Sequence, residues 1–376
     1  MKILNLSTVH RWNDPRIFYK IASSLADRHE VVHAAVGDGE VRQVQGVTVK
    51  PLGVWHSRWD RPKLWWRAYR EMLRSEYDVI HFHDPELALL LIPYALLGNK
   101  KLICDIHEHP EAAIGGREWI PRPIRKAVAT AFSLLLRKTP YLYDKVILAE
   151  ERYAPLFPTR VNVHIVLNHA LIPQPDVELP DRYRDFDPEK ELRLIYVGSI
   201  VGDRGGRKLA EMMTHVWKSY PQATLDLVGM IRPDSLERDL NKIANASDKR
   251  IRLHGFVDFL KARTLMQRAH IGMIPLLPNP NYTVSIATKF FDYMIYGLPC
   301  VASNFPLWEE FLRETQCGIT ADPTHSEALA DAVVNLAGDK QKLLQCSETG
   351  YRQVRERFSW KGQAEKLFRI YKDIQP

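Results

Sequence analysis

Apolar runs of strand length recur along this chain, each followed by a polar stretch in which apolar residues return every three or four positions. The short runs fit strands buried on both faces, and the longer stretches fit amphipathic helices. In the first half the pattern predicts strands at 2–6, 30–36, 47–51, 79–82, 101–105, 145–149 and 163–166, with helices at 15–28, 62–75 and 85–97. Beyond residue 190 it restarts. Strands are expected at 193–197, 224–228, 251–253, 271–274 and 300–303, and helices at 206–219, 233–245, 259–267, 288–296, 326–338, 340–358 and 360–372.

Between the two series, residues 172–190 hold Pro173, Pro175, Pro180 and Pro188 among many acids and little apolar periodicity, which reads as a linker. Two β–α series so joined predict an α/β chain of two doubly wound, Rossmann-like domains, 1–171 and 191–358, with 359–376 as a final amphipathic helix. Ligands of such sheets bind at the carboxyl ends of the strands. That rule selects the loops 7–16, 83–86, 106–118, 198–208, 229–233, 254–257 and 275–289.

The 376 residues are 45% hydrophobic and 26% charged, as in ordinary soluble proteins. A formal charge of +7 suits a phosphorylated substrate or an anionic membrane surface. No nucleic-acid motif accompanies it, so nucleic acid is not an expected partner. No apolar run approaches a membrane span, and the N-terminus lacks the features of a signal peptide. Cys104, Cys300, Cys317 and Cys346 form no CxxC pair, which suggests reduced thiols in a cytoplasmic protein with neither zinc site nor disulfide framework.

The most informative stretch is Thr288-Lys289-Phe290-Phe291-Asp292-Tyr293-Met294-Ile295-Tyr296-Gly297-Leu298-Pro299. Lys289, Asp292, Tyr293 and Tyr296 fall on one helical face, and Gly297 and Pro299 end the helix. A lysine and a carboxylate there could hold an anion and a hydroxylated ring together. Loop 198–208 offers Gly198, Ser199, Gly205 and Gly206 for close backbone approach, with Arg204, Arg207 and Lys208 as charges for a diphosphate. Its spacing is neither a Walker A loop nor a G-x-G-x-x-G fingerprint, and a solvated basic turn is the plainer alternative.

In loop 106–111, His107, Glu108, His109 and Glu111 could bind a metal or form a polar capping loop, but a histidine that hydrogen-bonds sugar hydroxyls is the better functional reading. Of His81 and His83, one is expected to be structural. In loop 7–16, Asp14 before Pro15 is an N-cap signature, and Arg16 is either functional or surface. Two basic-aromatic segments, Trp55 to Arg74 and Arg117 to Lys138, suit an anionic lipid interface or ordinary helices with solvated charge.

Taken in order, these stretches resemble family 4 glycosyltransferases of the GT-B fold, in particular a bacterial group acting in surface polysaccharide synthesis. The likeness is carried by Asp14-Pro15-Arg16-Ile17, His83-Asp84-Pro85, Asp105-Ile106-His107-Glu108, Tyr196-Val197-Gly198-Ser199, Arg204-Gly205, His254-Gly255-Phe256, Ile274-Pro275, Thr288 to Met294, Gly297-Leu298-Pro299 and Phe358-Ser359-Trp360. It spans nearly the whole chain.

The resemblance implies a nucleotide-diphosphate sugar, with UDP or GDP as the expected nucleotide, bound mainly by the second domain. A saccharide or lipid-linked acceptor would bind the first, with reaction in the cleft between them. Arg204 and Lys208 would neutralise the diphosphate. Asp292 would hold the ribose, the His254–Phe256 region would lie by the base, and His107 would face the transferred sugar. Gly198, Ser199, Ser285, Thr288 and Lys289 complete the expected donor set, and His10, Arg11, Asp14, Arg16, His83 and Glu108 the acceptor set. The final helix would cross back to the first domain.

Two departures stand out. The family's first carboxylate, eight positions before Asp292, is Val284 here, and His10 to Asn13 replace the paired glycines that many members carry. The implied chemistry is a retaining, metal-independent transfer with no cofactor, together with peripheral membrane contact through the first domain. A sugar-nucleotide epimerase of similar architecture and a non-catalytic nucleotide-sugar-binding partner of another transferase are the alternatives. A nicotinamide-dependent dehydrogenase is disfavoured, because no G-x-G-x-x-G follows a predicted strand.

Overall fold

Two mainly parallel sheets carry the chain, one built from each half of the sequence. The computed structural model describes residues 1–97, 100–107, 123, 130, 138–173 and 176–374. The chain divides into two units, Met1–Leu171 with Trp360–Pro376, and Ile172–Ser359.

The first unit contains β1 (Lys2–Arg11), β2 (Glu30–Val36), β3 (Arg42–Val44), β4 (Val47–Pro51), β5 (Val79–Phe82), β6 (Lys101–Ile106), β7 (Lys145–Leu148) and β8 (Val163–Ile165). Their order is β3-β4-β2-β1-β5-β6-β7-β8, and only the β3–β4 pair is antiparallel. Most of these strands are buried on both faces, which is why they read as apolar runs without alternation. The core packs Ile3, Phe18, Val79, Ile103 and Ile147 with Trp360, Leu367, Ile370 and Tyr371 of helix Trp360–Lys372. That helix is tied down by hydrogen bonds as well: Trp360 Nε1 donates to Ser24 Oγ at 2.9 Å, and Tyr371 Oη meets His81 Nδ1 at 2.8 Å.

The helix expected at 15–28 begins as a π-helical coil, Pro15–Ala22, and continues as a short α-helix, Ser23–Ala26. Asp14 caps it, its Oδ1 accepting from the N–H groups of Arg16 and Ile17, both at 2.9 Å. The helix expected at 85–97 is two helices, Pro85–Leu90 and Ile92–Leu97. Pro93 accounts for the break, since it lacks an N–H and its ring clashes with the preceding turn.

The second unit contains β9 (Arg193–Val197), β10 (Thr224–Val228), β11 (Ile251–Gly255), β12 (Ile271–Ile274), β13 (Cys300–Ser303) and β14 (Gly318–Ala321). All pair in parallel, in the order β11-β10-β9-β12-β13-β14. Leu209, Met213 and Val216 of helix Gly206–Ser219 and Leu329, Val333 and Leu336 of helix Ser326–Gly338 join Leu194, Leu225, Ile271 and Val301 in its core.

The proline-rich stretch that begins this unit is packed down rather than free along its length. Tyr183 is buried and donates to the carbonyl of His270 at 2.6 Å, while Arg182 donates to the carbonyls of Met266 and Tyr296 at 3.0 and 2.5 Å.

Candidate functional site

At the carboxyl edge of the second sheet, Gly198 follows β9 at φ +129°, and Arg204 closes a one-turn helix, Gly202–Arg204. Gly205 at φ +73° starts helix Gly206–Ser219, and a methyl group on it would meet the Pro275 carbonyl oxygen at 2.2 Å, so only glycine fits. The first N–H groups of that helix and the positive end of its dipole therefore lie beside Arg204. Arg204 Nε donates to Tyr282 Oη at 3.4 Å.

Lys289 reaches the same place from helix Thr288–Ile295. A methyl group on Gly198 would lie 2.9 Å from Lys289 Nζ and 4.0 Å from Arg204 Nη1, so the two cations flank one stretch of backbone. Burial first, and the Arg204 charge second, push the lysine pKa down to about 7. Holding two cations together here works against both desolvation and mutual repulsion.

Lys208 does not take part in this pairing. It points to Glu211 one turn along its helix, at 3.1 Å, and the cation beside Arg204 is Lys289 instead. The expected common face of helix Thr288–Ile295 also divides. Asp292 is exposed, whereas Tyr293 and Tyr296 are buried. Tyr293 Oη donates to the Met273 carbonyl at 3.2 Å and accepts from the Val197 N–H at 3.2 Å, tying the helix to the sheet. Thr288 is exposed at the start of the helix, and the Ser285 carbonyl accepts from Trp308 Nε1 at 2.8 Å. His254 Nε2 donates to Asp226 Oδ1 at 2.6 Å, a partner the sequence did not reveal. Beyond it Gly255 turns at φ +62° and Phe256 stands 78% exposed.

In the first unit the equivalent edge collects β1, β5 and β6. Asp84 is buried and gathers Ser7, Thr8, the Val9 N–H and His10. His107 lies next to His10, with ring centroids 4.9 Å apart. Arg11 is exposed at the end of β1.

Three acceptor candidates are engaged elsewhere. Arg16 is only 4% exposed; its Nε and Nη2 contact the two Asp105 oxygens at 3.2 and 3.0 Å, and Nη2 also donates to the Val166 carbonyl. His83 is buried, with Nε2 donating to Asn5 Oδ1 at 2.6 Å. Asp14 spends one carboxylate oxygen on its cap. Glu108, His109, Glu111 and most of the second basic-aromatic segment lie outside the described residues.

Among the described residues, His81, His83 and Asp105 form a trio whose ligand atoms all lie within 4.8 Å of one another. Arg16 already neutralises Asp105, so a divalent cation there would leave an excess of buried positive charge. We assign it no metal.

Two parallel, Rossmann-like sheets with polar groups gathered at their carboxyl edges define the GT-B class of glycosyltransferases. Residues 16–150 match the family model described as Glycosyltransferase Family 4, and residues 191–339 match Glycosyl transferases group 1. The chain belongs to the family 4 glycosyltransferases. A phosphatidyl-myo-inositol mannosyltransferase of Mycobacterium leprae is 26% identical over 313 residues, covering 82% of this chain and 76% of that protein. Among solved structures, sucrose-phosphate synthase of Thermosynechococcus elongatus superposes with a TM-score of 0.75 at 16% identity, covering 99% of this chain and 98% of the other. Anabaena HepE in complex with UDP-glucose gives 0.74 at 16% identity, over the full length of both chains.

Proposed function

We propose that the protein moves a sugar, with retention and without a metal, from a nucleotide-diphosphate sugar to a saccharide or lipid-linked acceptor of a cell-surface polysaccharide. The observation that carries this reading is the Arg204–Lys289 pair beside a helix N-terminus. As the bond from the anomeric carbon to the diphosphate oxygen breaks, its electron pair leaves on the diphosphate. Fixed cations and N–H groups there stabilise that charge most in the transition state. The acceptor hydroxyl attacks from the same face and gives its proton to a leaving phosphate oxygen. Asp292, exposed one turn from Lys289, would take the ribose hydroxyls, and exposed Phe256 would cover the base.

UDP-glucose in the HepE structure supports UDP as the first nucleotide to try, and the mannosyltransferase relative keeps GDP in view. A thermal-shift screen against UDP-, GDP-, ADP- and dTDP-sugars tests the reading, because a ligand of the folded state raises its stability by mass action. One nucleotide class should raise Tm and then support transfer in EDTA with the anomeric configuration kept. No shift with any donor, or an inverted product, overturns it. With Val284 at the usual carboxylate position, binding without transfer over a panel of acceptors would favour a non-catalytic partner instead.

Membrane contact would run along helix Arg61–Met72 and the turn before it. Trp59 and Trp66 are 90% and 61% exposed, with Lys63 and Arg70 on the same stripe. Exposed tryptophan interleaved with cations suits an anionic lipid surface. Among the described residues no helix is long and apolar enough to cross a membrane.

A further inference from the structure

Three strands of the second sheet turn charged side chains toward helix Phe259–Arg268. Side chains alternate along a strand, so where Leu194, Leu225 and Ile251 enter the core, Arg193, Asp226 and Arg252 face the other way. Parallel strands are ordinarily covered by apolar packing on both faces. On this face a cavity of about 320 Å³ opens instead, lined by Glu191, Arg193, Asp226, Arg252, Leu265 and Arg268.

Three guanidiniums and two carboxylates thus share one space. Arg193 is committed: its Nη2 pairs with Glu191, and its Nη1 donates to the Arg268 carbonyl at 3.4 Å. Asp226 is buried, and its Oδ1 accepts from His254 Nε2 at 2.6 Å. Arg252 Nη1 lies 3.9 Å from that oxygen, too far for a hydrogen bond. The Arg268 side chain is exposed and has no hydrogen-bond partner among the described residues. Two uncommitted guanidiniums therefore line the cavity beside a buried carboxylate.

Edge strands often carry charge that keeps other chains from pairing with them, and β11 is an edge strand. That accounts for Arg252 alone, because Asp226 lies on an inner strand and Arg268 on a helix. The volume falls at the lower end of cavities that hold small organic ligands, which suits a monosaccharide. Guanidinium forks match phosphate oxygens, and carboxylates accept from hydroxyls. We propose that the cavity is a second ligand site, for a phosphorylated monosaccharide, with Arg252 and Arg268 on the phosphate and Asp226 and Glu191 on the hydroxyls.

The site is separate from the Arg204–Lys289 region. Arg193 is the first residue of β9 and Gly198 follows its last, a distance of about 17 Å along an extended strand. A sugar phosphate in the cavity therefore leaves the glycine-rich loop open. The proposal goes beyond the glycosyl-transfer reading and does not rest on it.

Calorimetry on the full-length chain tests it with glucose 1-phosphate, glucose 6-phosphate and mannose 6-phosphate, against inorganic phosphate and glucose as controls. At least one sugar phosphate should bind about tenfold tighter than either control, since only it can use both the guanidiniums and the carboxylates. Arg252→Gln with Arg268→Gln should weaken that binding by about 10²-fold, because two charge-assisted hydrogen bonds are lost. Tm should barely move, as both side chains are exposed. Arg204→Ala should bind as the wild type does. No binding of any sugar phosphate, binding no tighter than that of phosphate, or binding that survives the double substitution overturns the proposal. So does binding lost in Arg204→Ala, which would put the ligand at the glycine-rich loop. Should the double variant not fold, each single substitution must weaken binding by about tenfold, and unchanged affinity in both refutes the site.

Discussion

The guanidinium of Arg16 and the carboxylate of Asp105 meet side by side in the core of the first unit, 3.0 and 3.2 Å apart at their two contacts. The pair joins the π-helical coil to β6, and the third guanidinium nitrogen has no partner among the described residues. Removing one member strands a buried charge, so Arg16→Ala should cost about 3–5 kcal/mol in urea unfolding. Burial raises the Asp105 pKa, but Arg16 and His83 together hold it far below the usual carboxylate range. A depressed carboxylate contributes stability above its unfolded pKa and loses it only as pH falls through the folded value. The contribution should therefore persist into strong acid, and acid titration of Arg16→Ala should unfold the chain at a higher pH than the wild type.

Lys289 pulls the other way. Its folded pKa of about 7 lies below that of an unfolded lysine, so the unfolded chain binds more protons between about pH 7 and about pH 10. Stability should rise with pH over that window. Lys289→Met should raise Tm at pH 7 and flatten the rise, while weakening UDP binding. In the wild type, calorimetry should find nucleoside diphosphate bound more weakly as pH climbs past 7, because only the protonated amine attracts it.

On the proposed reading, Arg204→Ala removes the charge that would stabilise the leaving group. Turnover should drop by about 10²-fold, with the larger effect on kcat. Tyr282→Phe, which deletes only the hydroxyl that Arg204 Nε meets, should cost far less. Steady-state rates of the two variants check the order.

Trp59→Ala with Trp66→Ala should lower binding to vesicles containing anionic lipid and leave Tm nearly unchanged, since both rings are largely exposed. Reversing Arg67 or Arg74 is a poorer test. Arg67 donates to the Leu52 carbonyl at 2.7 Å and Arg74 pairs with Glu76 at 3.3 Å, so either change disturbs local structure. Co-sedimentation with vesicles gives the readout.

Strands with unbroken apolar runs were legible because burial on both faces leaves no alternation to mislead; 30–36, 79–82 and 193–197 match β2, β5 and β9 in extent. The misses were β3 (Arg42-Gln43-Val44) and β14 (Gly318-Ile319-Thr320-Ala321), short runs at sheet edges that carry little apolar signal. Helix Pro306–Thr315 was also missed, although its signals were open: Pro306 at its start and Trp308, Phe311, Leu312 and Thr315 on one buried face. In the candidate site, residue type marked the glycine-rich cationic loop but not its pairings. Lys208 and Lys289 look alike in sequence, and only the reach of helix Thr288–Ile295 back to Gly198 selects the second. Arg16, read as an acceptor contact or a surface cation, is instead turned by the coil onto Asp105.

Trp360, Leu367 and Tyr371 sit in the same core as Ile3 and Val79. The ribosome makes those partners far apart in time. The N-terminal sheet must wait, unfinished, through the synthesis of everything from Ile172 to Ser359 before its last layer arrives. A stop codon anywhere in the final helix would thus injure the half of the protein that was translated first.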